Sequence, residues 1–239
     1  MATIADKLQA VRARIDAACR AAARDPASVT LLAVSKTFGP EAVAAAAAAG
    51  QRAFGENYVQ EGVEKIVALR AAGVTGLQWH CIGPLQSNKT RPVAEHFDWV
   101  QSVDRLKIAQ RLSAQRPAQL PPLQVCIQVN VDGGPTKAGV APEQAVALAQ
   151  AVAELPGLRL RGLMCIPDPQ PDPAAMLAVF ADAAALFARV RTALGDPPAF
   201  DTLSMGMSDD LELAIAAGST MVRVGSAIFG RRAYAAAPA

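Results

Sequence analysis

The sequence predicts an α/β fold: a single (β/α)8 barrel of TIM type with an extra helix at its N-terminus. Three observations carry this. Eight short apolar runs recur within about 200 residues, with helix-patterned segments between them, a spacing that demands crossover connections and hence parallel strands. The runs are continuously apolar rather than alternating, as in strands covered on both faces. The length of 239 residues is close to the roughly 250 usual for such a barrel. An open doubly wound sheet is the alternative, and no G-x-G-x-x-G follows the first run to support it.

The elements follow in order. Ile4, Leu8, Val11, Ile15 and Ala18 recur at helical spacing, giving an amphipathic opening helix over about residues 2–24 that ends before Asp25-Pro26. Strands are expected at 29–35, 53–55, 77–82, 99–102, 123–131, 161–166, 202–204 and 221–224. Helices are expected at 40–49, 58–71, 85–96, 105–116, 142–154, 173–193 and 209–217. The alanines at 44–49 are strong helix formers. Pro117-Ala118-Gln119-Leu120-Pro121-Pro122 is the clearest break, yet strands and helices alternate on both sides, so it reads as a loop. The chain is therefore one domain, with the barrel over about 29–232 and a frayed tail at 235–239. The last helix is short or missing unless the region 231–234 forms it.

Composition narrows the function. A net charge of +2 and a pI near 8.4, with basic residues scattered, give no footprint for nucleic acid. Arg159 and Arg161 are expected on solvated faces. Mean hydropathy is +0.22, driven by alanine, and no stretch is expected to span a bilayer. Charges at Asp6, Lys7, Arg12 and Arg14 argue against a signal peptide. Cys19, Cys81, Cys126 and Cys165 form no C-x-x-C pair and read as core residues, which points to the reducing cytoplasm and to no metal site.

Chemistry is expected where strands end and the following loops begin. Lys36 closes the apolar run Val29-Thr30-Leu31-Leu32-Ala33-Val34-Ser35. A desolvated lysine amine is a nucleophile toward carbonyls, the alternative being a rim lysine reaching water. Arg223, between Val222 and Val224, cannot face the helices without an unpaired charge, so it points into the mouth toward an acceptor or into a structural salt bridge. Leu203-Ser204-Met205-Gly206-Met207-Ser208-Asp209-Asp210 and Gly225-Ser226 follow the last two strands and offer backbone amides and hydroxyls to a phosphate. A reactive amine facing two such loops suggests a phosphorylated aldehyde. Asn57 and His80 are candidates for polar contacts near the mouth, His80 reading equally as a satisfied core histidine. Trp79 and Trp99 read as packing. Lys137 lies on a glycine-rich loop, and Asp209 and Asp210 are expected to cap the next helix.

Several of these segments together resemble one family. Ala33-Val34-Ser35-Lys36, Phe54-Gly55-Glu56-Asn57-Tyr58, Trp79-His80-Cys81-Ile82-Gly83-Pro84-Leu85-Gln86-Ser87-Asn88-Lys89, and the stretch from Leu203 to Gly230 are similar, in consistent order, to the pyridoxal phosphate homeostasis proteins. The resemblance implies a monomeric barrel like the N-terminal domain of alanine racemases (fold type III). It implies pyridoxal phosphate as a Schiff base on Lys36, with its phosphate against Ser204, Met205, Gly206, Ser208, Gly225 and Ser226 and its pyridine nitrogen near Arg223. Asn57 and His80 would complete the cofactor's surroundings. It further implies a role in cofactor and amino-acid balance without an established reaction, with apo forms of cofactor-dependent enzymes as transient partners. Cys81 stands where phenylalanine is usual, and Gly134-Pro135 replaces polar residues before Lys137.

Three functions compete: a cofactor carrier and buffer, a racemase-type enzyme, and a cofactor-free Schiff-base aldolase. The racemases this barrel resembles carry an additional β domain and a tyrosine base from a partner subunit. Here the chain is expected to end soon after Phe229-Gly230, with Tyr58 and Tyr234 its only tyrosines. An arginine beside the pyridine nitrogen also weakens the ring as an electron sink. The carrier is the favoured expectation.

Overall fold

A computed structural model describes residues 2–134 and 138–230. The Lys137 position and the region 231–239 lie outside the described residues. Eight strands close in sequence order into a parallel barrel: β1 (Thr30–Val34), β2 (Ala53–Glu56), β3 (Gln78–Cys81), β4 (Trp99–Val103), β5 (Leu123–Gln128), β6 (Leu158–Met164), β7 (Thr202–Ser204) and β8 (Met221–Val224). Closure places β1 against β8, with Leu32 opposite Arg223.

The helices form the outer ring: α2 (Pro40–Ala48), α3 (Val59–Ala71), α4 (Thr90–His96), α5 (Leu106–Gln115), α6 (Ala145–Ala153), α7 (Pro173–Ala193), α8 (Leu211–Ala216) and α9 (Ser226–Phe229). Outside this ring lies α1 (Ile4–Ala21), started by a capping box between Thr3 and Asp6 and burying Leu8, Val11, Ile15 and Cys19. It packs on α8 and α9. Arg14 fastens it there, donating to Glu212 at 2.8 Å and to the Ser208 carbonyl at 3.0 Å. Among the described residues the last helix is α9, a single turn directly after β8.

Several boundaries differ from the sequence expectation, for physical reasons. The sixth strand begins at Leu158, because Arg159 and Arg161 alternate with Leu158 and Leu160 at its start. Its register shifts at Gly162, where a Cβ would strike the Thr202 carbonyl. Arg161 is not on a solvated face. It donates to Gln124 and Asp201 and lies 4.8 Å over the Trp99 ring, flooring the barrel. The expected helix at 85–96 starts later, as a 3-10 turn (Ser87–Lys89) followed by α4. One helix, α7, is long and apolar enough in composition to cross a bilayer, contrary to expectation. Here it lies along the barrel with Met176, Phe180, Ala183, Leu186 and Val190 buried. All four cysteines are free and buried, and burial pushes the Cys81 and Cys126 thiols up to about 12.

Candidate functional site

A cavity of about 610 Å³ opens at the C-terminal end of the strands, a size suited to a small ligand. Lys36, Asn57, Ser208, Arg223, Gly225 and Ser226 line it together. Lys36 enters from the turn after β1, Asn57 from the residue after β2, and Arg223 from β8 itself. Ser208 and Ser226 meet at the far side, their hydroxyls 3.2 Å apart. Val34, Phe38, Ile82, Ile166 and Met207 supply an apolar wall that the sequence reading did not assign. Their signal was position: each lies at or just beyond a strand end. Asp209 also lines the cavity, and Asp210 stands at the N-cap of α8 as expected, its carboxylate accepting from the Met207 amide at 2.6 Å rather than from the helix. A second cavity, at the opposite end, is lined by Arg12, Gln51, Arg52 and Gln78. Both of its arginines are already committed to backbone carbonyls.

The other candidates do not reach the mouth cavity. His80 is fully buried inside the barrel, stacked on Trp99 with ring centroids 5.0 Å apart. The core-histidine reading holds, while its depth along the barrel axis was not legible in the sequence. Ser204 is buried and spends its hydroxyl below the cavity. Met205 turns its side chain into the core, and Gly206, at φ +94°, is buried with no room for a Cβ beside Ala214.

His80 and Ser204 instead belong to a chain of hydrogen bonds that runs from the Arg223 guanidinium through neutral side chains in the barrel interior. Arg223 donates from Nη1 to the Ser204 hydroxyl at 2.8 Å. Ser204 donates to Gln101 Oε1 at 2.7 Å. Gln101 donates from Nε2 to His80 Nδ1 at 2.9 Å, and His80 Nε2 reaches Gln78 Oε1 at 3.0 Å. This sense puts the imidazole proton on Nε2. Burial, with the nearby Arg161 charge, pushes His80 from its ordinary 6.5 down to about 3. Arg223 also donates to the Ser204 and Cys165 carbonyls, each at 2.8 Å.

Behind Lys36 stands a charged cluster. Lys65, buried on α3, donates to Glu56 Oε1 at 2.8 Å, Glu61 Oε1 at 2.6 Å and the Ser35 carbonyl at 2.8 Å. Glu56 is 1% exposed. Burial raises its carboxyl above the ordinary 4.5, outweighing the donors Lys65 and Ser35.

Residues 7–233 match the alanine racemase N-terminal domain family. The chain is 59% identical over 236 residues to the pyridoxal phosphate homeostasis protein of Pseudomonas aeruginosa, covering 99% of each. It is 57% identical over 234 residues to the Escherichia coli protein of that name, covering 98% of this chain and 99% of that one. The chain is a pyridoxal phosphate homeostasis family member.

The family's solved structures agree with the fold. PipY of Synechococcus elongatus, with pyridoxal phosphate bound, superposes with a TM-score of 0.82 at 37% identity over 95% of this chain and all of that one. Alanine racemase of Corynebacterium glutamicum, at 17% identity and TM-score 0.64, shares the barrel alone, and this chain spans 63% of its length.

Proposed function

We propose that this protein binds pyridoxal phosphate covalently through Lys36 and holds and releases it, rather than turning over amino acids. When bound, the cofactor would supply an aldehyde to the Lys36 amine, and Ser208, Gly225 and Ser226 would hold its phosphate. The observation that carries the reading is the arrangement of Lys36, Arg223 and the Ser208/Ser226 pair around one cavity.

Unspent hydrogen-bonding capacity in this cavity fits such a ligand. The buried Asn57 Oδ1 has no partner among the described residues. Arg223, which lines the cavity, uses Nη1 and Nη2, and its Nε donates to none of the described residues. The first N–H groups of α9, at Ser226 and Ala227, have no acceptor within the helix and can take a phosphate oxygen. Gly225 packs against Val34, where a Cβ would stand 3.1 Å from the carbonyl, so a side chain here would crowd β1.

Low turnover is supported by what the wall offers. Among the described lining residues there is no tyrosine, histidine or cysteine, so no second base faces Lys36 of the kind a two-base racemase needs. Relatives near 60% identity are named for homeostasis. The reading extends to a monomer in the cytoplasm that meets apo-enzymes transiently, in keeping with four free buried cysteines.

Two measurements test it. Lys36→Ala should abolish the visible absorption band and borohydride-stable labelling while leaving the fold intact. The loaded protein, incubated with amino acids in heavy water, should incorporate negligible deuterium at the α-carbon. Rapid, scrambling incorporation that depends on Lys36 would replace the carrier with a racemase-type enzyme. A wild type with no visible band would favour the cofactor-free aldolase.

A further inference from the structure

The two residues that flank Lys36 are gripped by the same three charged side chains. On the N-terminal side, the Ser35 hydroxyl donates to Glu56 Oε1 at 2.6 Å and the Ser35 carbonyl accepts from Lys65 at 2.8 Å. On the C-terminal side, the Thr37 amide donates to Glu61 Oε1 at 2.6 Å. Lys65 joins the two carboxylates, so its three N–H groups are all spent on this cluster. Between the grips the chain turns back, Phe38 N donating to the Ser35 carbonyl at 3.1 Å. Thr37 sits at φ +69°, left-handed and unfavourable for a β-branched residue. Such a conformation persists only where its surroundings impose it, and the Glu61 carboxylate is the side chain that holds the Thr37 amide.

We propose that Glu56, Lys65 and Glu61 are positioning residues for the Lys36 amine, holding a strained turn so that the amine is presented to the ligand's carbonyl. The proposal deepens the pyridoxal phosphate reading and rests on it. None of the three lines the cavity, so their action passes through the backbone of Ser35 and Thr37. Glu56 immediately precedes Asn57, so the same cluster also fixes where the second strand delivers its polar residue.

The test separates reaction at the amine from binding of the rest of the ligand. Full-length wild type, Glu61→Ala, Glu61→Gln and the double variant Glu61→Ala/Thr37→Gly are each given two probes. Pyridoxal phosphate is followed by its visible band and by borohydride labelling at Lys36. Pyridoxine phosphate, which carries an alcohol in place of the aldehyde, is followed by calorimetry. Glu61→Ala should slow labelling about tenfold or more, because small misplacement of a reacting group is costly. Pyridoxine phosphate affinity should hold within about twofold, since its contacts lie apart from Glu61. Glu61→Gln keeps an acceptor for the Thr37 amide and should recover part of the rate. Thr37→Gly makes the left-handed turn inexpensive and should restore labelling in the Glu61→Ala background. An unchanged labelling rate in Glu61→Ala overturns the proposal. So does a slowed rate with an equal loss of pyridoxine phosphate affinity, which would assign the cluster to the fold. Stoichiometric wild-type labelling at another lysine would remove the Lys36 reading and this one with it.

Discussion

Lys36 and Arg223 face one cavity, but they are supported by contrasting chemistry. Behind Lys36, between β2 and α3, a buried ammonium is shared by two carboxylates. Beneath Arg223, inside the barrel, the support is a run of neutral groups: Ser204, Gln101, His80 and Gln78. The difference follows from what each position needs. Lys36 sits on a turn whose carbonyl and amide require a donor and an acceptor at once, and an ion pair supplies both. Arg223 already carries a charge in a desolvated core, and burial lowers its guanidinium below its ordinary value. Carbonyls and a hydroxyl satisfy it there without a second ion whose desolvation must be offset.

The largest effect expected is on the ionic side. Lys65→Met leaves the Glu56 carboxylate buried without its counter-ion and should cost about 3–5 kcal/mol of stability, read by urea unfolding. Lys65→Met/Glu56→Gln together should cost much less, because no charge is stranded. Equal losses in the two variants would show that packing, not charge, governs this region.

Acid titration gives the next largest contrast, and the two regions should respond with opposite sign. His80 has its folded value near 3 against 6.5 unfolded. Its contribution is complete above pH 6.5 and is lost as pH falls toward 3, by at most about 1.4 kcal/mol per pH unit. Glu56 has a raised folded value, so in the window just above 4.5 the native state holds a proton that the unfolded chain has released. There acidification favours folding. Stability measured from pH 7 to 4 should therefore fall less steeply in His80→Gln than in the wild type. Parallel curves would place His80 in contact with water.

The smallest effect is expected at the centre of the neutral chain. Ser204→Ala removes the link between Gln101 and Arg223 and should lower stability by about 1 kcal/mol, with the Arg223 guanidinium still held by two carbonyls. A loss as large as that of Lys65→Met would mean the neutral run is as demanding as the ionic one.

Much of the architecture was legible because a strand buried on both faces has few ways to disguise itself. Runs such as 29–35 and 221–224 announced their strands, and the Arg223 guanidinium had one acceptable direction. Arg159 and Arg161 hid the start of β6, since charge at the barrel floor looks like charge on a surface. Their sequence positions placed His80 and Ser204 on or at the end of strands but did not give their height along the barrel, which depends on the register between neighbouring strands. The Glu56–Lys65–Glu61 cluster left only faint traces: a carboxylate ending an apolar strand, and an acid and a base four residues apart on the next helix. What joins them to Lys36 is the β1–β2 pairing, and no local pattern encodes that.

The outer helix α1 has a consequence for how the molecule is made. Its Arg14 is joined to Glu212 across 198 residues of chain, and its apolar face rests on α8 and α9, the last elements described. On a ribosome moving at about 5–20 residues per second, α1 therefore waits roughly 10–40 s for the surface that covers Leu8, Val11 and Ile15. The first strand waits equally long for the eighth. Through that interval the nascent chain exposes a greasy helix and an open sheet edge, the features that chaperones recognise and that drive misassembly. A ribosome stalled before residue 212 would leave both uncovered, so synthesis of this barrel is vulnerable until β8 and α9 emerge.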